Sequence, residues 1–243
     1  MSLPSREQSL RVAGALLVAV FATSGAQAAE STPLPAERTQ DTLLLASPPV
    51  AASSTTAREL AELHQIEAAR TQEQVRRARA DDKDESMFLY RDVIGPAFTA
   101  QALPLTAVLS ALVGDTESAN TAPLKRAFAR VRPYNADTSL RPVCKTKIKD
   151  DSYPSGHATA GYLQALTLIE LMPEKRDAIL LRAQQYANNR LVCGVHYRSD
   201  IEAGKVLAHA VHATLQQQPQ YQSALAAARR EVHSARNAEP VTQ

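Results

Sequence analysis

The stretch Asn189–Asp200, NRLVCGVHYRSD, places an arginine, a histidine and an aspartate close together. His196 and Asp200 are four apart, which is one helical turn, so the carboxylate can sit beside the imidazole. A carboxylate on one ring nitrogen fixes the ring and leaves the other nitrogen free as a base or nucleophile. Arg190, six residues upstream, is a permanently charged fork suited to phosphate. Pairs of this kind also arise by chance in helices, but two other stretches add to this one. Lys125 and Arg132 are seven apart, which predicts two cations on one helix face, with Pro133 ending that helix and leaving Arg132 at its mouth. Pro154-Ser155-Gly156-His157 reads as a helix start. Ser155 takes the N-cap, Gly156 lets backbone approach an anion, and His157 projects from the first turn. The set comprises three cations, neutral donors at Ser155 and Gly156, two titratable imidazoles and an orienting carboxylate. That is an inventory for phosphoryl transfer without a metal: positioning, charge stabilisation, a nucleophile and a proton donor.

The elements that must position these residues read as helical. At 243 residues the chain suits one sizeable domain. Its formal net charge of +2, with signs mixed and no basic run among aromatics, argues against a nucleic-acid partner. Residues 1–28 read as a secretory signal, with Arg6 and Arg11, an apolar run Val12–Ala22 and small residues at Ala26 and Ala28. The run is short for a membrane span, so the mature chain is expected to be exported, periplasmic or secreted, without stable membrane insertion. Residues 29–56 form a Pro/Ser/Ala-rich arm whose Leu43-Leu44-Leu45 patch suits docking on the domain or on a neighbouring subunit. The domain then spans 57–236, followed by a flexible tail at 237–243. Within it the periodicity predicts a helix over 57–80, a polar break at 81–85 and a short amphipathic segment at 87–94. An apolar stretch at 103–113 follows, then a helix with Pro123 in its first turn and a loop over 135–151. Helices over 155–172, 173–191, 200–217 and 222–236 complete the chain. No segment alternates as a strand would, so the class is all-α, a single-domain helical bundle.

The remaining polar features have plainer readings. Lys145, Lys147 and Lys149 read first as a solvated loop and second as a means of steering anions. His209 and His212, three apart, read as satisfied or surface histidines rather than a metal pair, and His64 and His233 as solvated. Cys144 and Cys193 are either a disulfide, which an oxidising compartment permits, or two buried thiols. Closing that loop would stabilise the fold by roughly 4 kcal/mol in the chain-entropy model.

Lys125-x6-Arg132-Pro133, Pro154-Ser155-Gly156-His157 and Arg190-x5-His196-x3-Asp200, in that order, resemble the three-part signature of the type 2 phosphatidic acid phosphatase and vanadium haloperoxidase superfamily. The segments ARVRP, SYPSGH and VCGVHYRSD resemble its class A bacterial nonspecific acid phosphatases most. The resemblance implies a metal-independent acid phosphatase, without cofactor, acting on phosphate monoesters, with phosphotransfer as a side activity. It implies that His196 attacks phosphorus, Asp200 orients it, and His157 protonates the leaving alcohol and then activates water. Lys125, Arg132, Ser155, Gly156 and Arg190 would hold the phosphate oxygens, and assembly into a homo-oligomer is a further expectation. With both imidazoles near a reference pKa of about 6.5, activity should peak in mild acid. Three positions depart from the pattern. Asn189 stands where serine is usual and is expected to change the phosphate site modestly. Asp151 stands for glycine and Ala158 for threonine. The rival readings are a vanadate-dependent haloperoxidase, a lipid or isoprenoid pyrophosphate phosphatase of the same superfamily, and a catalytically silent helical binding protein.

Overall fold

The computed structural model describes residues 45–238. The expected signal segment, most of the N-terminal arm including Leu43 and Leu44, and the last five residues lie outside them. The described residues are helical with no strand among them, as the all-α reading expects.

The helices are α1 (Ser54–Ala69), α2 (Gln72–Asp81), the single turn α3 (Arg91–Ile94), α4 (Pro104–Phe128), the single turn α5 (Pro133–Ala136), α6 (Gly156–Leu171), α7 (Arg176–Val192), α8 (Arg198–Leu215) and α9 (Pro219–Ala238). Short 3-10 turns at Met87–Tyr90 and Pro173–Lys175 precede α3 and α7. The expected helix over 57–80 is two helices. Arg70 turns out of helical geometry at φ −63°, ψ 129°, and Thr71 opens α2 with a reciprocal capping box to Gln74. An apolar stripe that continues through a polar joint hides such a break from periodicity alone.

The larger correction concerns Pro123. It does not open a new helix but lies inside α4, a single helix of 25 residues. The stretch between the two expected elements has no apolar periodicity because its inward face is polar: Thr116, Glu117, Asn120 and Thr121 are buried there. That face looks toward the candidate site. Lys125 and Arg132 consequently do not share a helix face. The helix ends at Phe128, Ala129 adopts a left-handed conformation at φ 43°, and Arg132 follows in extended backbone.

Helix α6 is the central element and packs against α4, α7 and α8. Most of its length is buried, including Leu163, Gln164, Thr167 and Leu168, which is why it shows little amphipathic pattern. The main core joins it to Leu109 and Val113 of α4, Ile179 and Tyr186 of α7, Leu207 and Val211 of α8, and Leu225 of α9. Two close approaches set the geometry at one end of the bundle. A Cβ on Gly204 of α8 would lie 2.7 Å from the Ser155 carbonyl oxygen, so only glycine lets α8 come this near the start of α6. The Ser155 N–H donates to the Asp200 carbonyl at 2.9 Å and ties the same two helix starts together.

Candidate active site

The N-terminal ends of α6 and α8 meet the C-terminal ends of α4 and α7 at this end of the bundle. Helix N-termini carry unpaired N–H groups and partial positive charge and the C-termini the opposite, so the side chains decide the sign of the site. A cavity of about 380 Å³ opens there, lined among others by Lys125, Arg132, Gly156, His157, Arg190 and His196.

His196 sits just before α8, on the turn that Gly194 makes possible by taking φ 73° after the last turn of α7. Its Nδ1 faces Asp200 Oδ2 at 3.2 Å and its Nε2 faces Arg132 Nη1 at 3.1 Å. A guanidinium has no lone pair to accept with, so Nε2 must be the acceptor and Nδ1 carries the proton toward Asp200. This tautomer turns the Nε2 lone pair to Arg132 on the cavity wall, a hydrogen bond that opens when Nε2 attacks. Burial, then the charges of Arg132, Lys125 and Arg190, hold the imidazole well below its ordinary pKa, so it is neutral there.

Asp200 is fully buried and heavily bonded. Oδ2 accepts from Ser152 Oγ at 2.6 Å and from the Tyr197 N–H at 2.9 Å, in addition to His196; Oδ1 accepts from Arg130 Nη1 at 2.6 Å. Burial nevertheless pushes its carboxyl up to about 6, against the opposing pull of Arg130. Arg130 also donates to Ser199 Oγ at 2.7 Å and Glu59 Oε2 at 2.9 Å, and lies over the Tyr197 ring at 3.9 Å. Sequence reasoning missed Arg130, Glu59 and Ser152. The Arg-x-Arg spacing of ARVRP held a signal, because residues two apart in an extended segment share a face, and both guanidiniums reach the His196–Asp200 pair. Arg132 reaches the cavity while Arg130 supports Asp200 from behind.

His157 occupies the first turn of α6, as the sequence predicts. Its Nε2 lies 3.3 Å from Glu85 Oε1, and its ring stacks on Tyr186 with centroids 6.1 Å apart. Burial and the neighbouring Arg190 hold it down to about 3, below the reference value assumed from sequence. Glu85, Asp82 and Glu117 also line the cavity, and sequence reasoning named none of them. Glu117 accepts from Thr121 Oγ1 at 2.6 Å, and its burial pushes the carboxyl up to about 7.

The three expected cations converge. Lys125 Nζ donates to the Asp151 carbonyl at 2.6 Å, and burial holds its ammonium down to about 8. Arg132 Nε pairs with Asp151 Oδ1 at 2.7 Å, and Arg190 Nη1 with Asp82 Oδ1 at 2.8 Å. The Arg190 Nε–H is buried with no hydrogen-bond partner among the described residues. A buried charged donor left unpaired is costly, and an anion in this cavity is the natural partner.

One expected phosphate contact, Ser155, and the supporting residue Asn189 lie off the cavity. The Ser155 hydroxyl is fully buried, caps α6 by accepting from the Ala158 N–H, and does not line the cavity, whereas Gly156 does. Asn189 turns away from the cavity and donates to Asp81 Oδ2 at 2.7 Å, beside the Arg182–Asp81 pair. A helical residue next to Arg190 points about a quarter turn away from it, so the adjacency in sequence did not put both side chains in one site. Cys144 and Cys193 form the disulfide, which fastens the loop before the second motif to the end of α7. His212 pairs with Glu170 at 2.7 Å, while His209 packs near Tyr162, so the two share no ligand geometry. His64 pairs with Asp137 at 2.8 Å rather than standing free in solvent.

Fold and site together define a class of helical proteins with a cationic anion pocket built around two histidines and an orienting aspartate. The chain belongs to the PAP2 superfamily, whose model matches residues 101–224, a span holding all three motifs. It is 32% identical over 151 residues to a non-specific acid phosphatase of Providencia stuartii, covering 58% of this chain and 59% of that protein. It is 36% identical over 120 residues to a non-specific acid phosphatase of Salmonella typhimurium, covering 48% of each. The chain thus spans about half the length of the curated relatives it matches. Among solved structures, a bacterial vanadium-dependent iodoperoxidase matches with a TM-score of 0.51 at 17% identity, over 76% of this chain and 51% of that one, which is a likeness of fold. No helix among the described residues is long and apolar enough to cross a membrane.

Proposed function

We propose that the protein is a metal-independent acid phosphatase that hydrolyses phosphate monoesters through a phosphohistidine on His196. The observation that carries this reading is the placement of His196. Its Nε2 meets Arg132 at the wall of a cavity shared with Lys125 and Arg190 while Asp200 holds Nδ1. Three side-chain cations together with the α6 N-terminus supply the charge that a transferring phosphoryl group needs, which metal ions supply in other phosphotransferases.

In the first half-reaction His196 Nε2 forms a bond to phosphorus as the bond to the ester oxygen breaks, and His157 gives its proton to the departing alkoxide. In the second, His157 takes a proton from water, the oxygen attacks phosphorus, and the P–N bond breaks to release inorganic phosphate. Asp200 stabilises the positive charge on the phosphorylated ring. Ser155 acts through the helix start that it caps, and Asn189 has no part in phosphate binding. Burial first and Arg190 second hold His157 down, and a phosphate dianion beside it works against both in favour of the protonated imidazole.

The leader-like residues 1–28 and the disulfide support action outside the cytoplasm, in the periplasm or secreted. The test is hydrolysis of p-nitrophenyl phosphate from pH 4 to 9 with EDTA present, for the wild type and for His196→Ala. Activity that survives EDTA and vanishes in the variant is the expected result. A folded wild type that turns over no phosphate ester would sink the proposal.

A further inference from the structure

The loop 144–151 was expected to be a solvated run of lysines, but Lys145 and Lys147 line the cavity and Lys149 does not. We propose that Lys145 and Lys147 form a second anion subsite beside the phosphate pocket. The preferred substrates are then phosphate esters that carry another anionic group, a phosphate or a carboxylate, a few bonds from the scissile one. This rests on the reading of the pocket as a phosphate-ester site and extends it to substrate class.

The loop is held rather than free. The disulfide fixes Cys144, and the Lys145 N–H donates to Asp82 Oδ2 at 3.2 Å. The Lys147 N–H donates to the Tyr134 hydroxyl at 2.7 Å, and that hydroxyl donates back to the Lys147 carbonyl at 2.9 Å. The Asp151 carbonyl accepts from Lys125 at the far end. Backbone fixed at four points keeps the bases of the two lysines beside the cavity, while their side chains are exposed, which lowers the backbone entropy lost on binding.

The charge balance points the same way. Of the three phosphate-site cations, Arg132 and Arg190 are each accompanied by a carboxylate, Asp151 and Asp82. Neither the Lys145 nor the Lys147 ammonium has a salt bridge or a hydrogen bond among the described residues. The other carboxylates of the lining are engaged: Asp82 by Arg190 and the Lys145 N–H, Glu117 by Thr121 and Ser118, and Glu85 by His157. Ile148, the residue after Lys147, is 99% exposed, so this part of the rim offers charge and one bare aliphatic side chain rather than an apolar pocket for an uncharged leaving group.

Non-hydrolysable ligands test the subsite without relying on turnover. Calorimetry in EDTA compares methylphosphonate with alkane bisphosphonates of one to four methylenes. The proteins are wild type, Lys145→Gln/Lys147→Gln, and Lys149→Gln as a control on the same loop. The wild type is expected to bind the best-fitting bisphosphonate at least about 10-fold more tightly than methylphosphonate, the worth of one well-placed ion pair. In the double variant that ratio should approach one, and Lys149→Gln should keep it. A wild-type ratio near one, or a double variant that weakens both ligands equally, overturns the subsite. Binding of neither ligand overturns the subsite and the phosphate pocket together. A retained ratio in a protein without phosphatase activity would refute the catalytic reading while leaving the subsite in place.

Discussion

Arg130→Met separates the support of the site from its chemistry. The guanidinium is buried and bridges Asp200, Ser199 and Glu59 at 2.6, 2.7 and 2.9 Å. Methionine fills much of the same volume but leaves two interior carboxylates without their cation. Breaking a buried pair by deleting one partner costs about 3–5 kcal/mol. The cost here belongs at the low end, because Asp200 has an escape. Its carboxyl is already pushed up to about 6, and each further pKa unit needed to neutralise it is about 1.4 kcal/mol. A loss of about 3 kcal/mol, at about 2–4 °C per kcal/mol for a domain of this size, lowers Tm by roughly 6–12 °C.

The sign of the pH dependence makes the prediction specific. Arg130 draws the Asp200 pKa down, so its removal raises that pKa further above the unfolded value. The folded variant then binds more protons than the unfolded chain, and its stability declines as pH rises toward the new folded pKa. Activity moves the opposite way. In acid a protonated Asp200 no longer stabilises charge on His196, and kcat falls by about 10- to 100-fold, part of the ~10⁴ that an orienting carboxylate can be worth. It recovers as pH rises and Asp200 ionises. Thermal unfolding and kcat for p-nitrophenyl phosphate, both measured from pH 4.5 to 8.5, should therefore show opposite trends. A Tm within 2 °C of wild type, or a kcat deficit that is constant with pH, would refute the argument.

Gly204→Ala should cost about 1–3 kcal/mol in urea unfolding, since the new methyl meets the Ser155 carbonyl at 2.7 Å and backbone cannot yield cheaply. Activity should suffer beyond the stability loss because the first turns carrying His157 and Asp200 are forced apart; a fully active variant would contradict that coupling. Asp151→Asn removes the carboxylate 2.7 Å from Arg132 Nε and keeps the carbonyl that Lys125 uses. The inhibition constant for inorganic phosphate should fall about 3- to 10-fold, near 1 kcal/mol, and an unchanged value would mean Asp151 does not compete with the ligand. With Lys125 held down to about 8, kcat/KM should decline as pH rises through that region. In Lys125→Arg the decline should move above pH 9, because guanidinium keeps its proton, and a limb that stays in place would assign it to another group.

Much of this site was legible in the sequence because each motif names a local geometry. Ser155 at a helix start, His196 and Asp200 one turn apart and the arginine at the end of a helix need only short-range rules, and the cavity brings those elements together. What stayed hidden depends on distance along the chain. Glu59 meets Arg130 across 71 residues, and Ser152 meets Asp200 across 48, with no periodicity linking either pair. The polar face of α4 broke the hydropathy pattern that would have revealed one long helix. The face is polar because it lies toward a charged cavity, so the functional demand itself erased the fold signal. Asn189 failed in the other direction: its neighbour Arg190 suggested a role that the helical turn between them denies.

The mild-acid preference expected from sequence needs a different reason. Two imidazoles at their reference pKa do not describe the unliganded pocket, where burial and cations hold His196 well down and His157 at about 3. The groups that titrate nearer neutrality are Asp200 at about 6, Glu117 at about 7 and Lys125 at about 8. As pH rises Glu117 gains a negative charge and Lys125 then loses a positive one, so the lining of the cavity becomes less cationic in two steps. Phosphate affinity should weaken through both steps, while the His157 proton is supplied only when a phosphate dianion offsets burial and Arg190. On this argument the binding of the anion sets the acid preference, and Glu117→Gln should extend wild-type kcat/KM toward pH 8. If that variant declines with pH as the wild type does, the preference must be returned to the histidines.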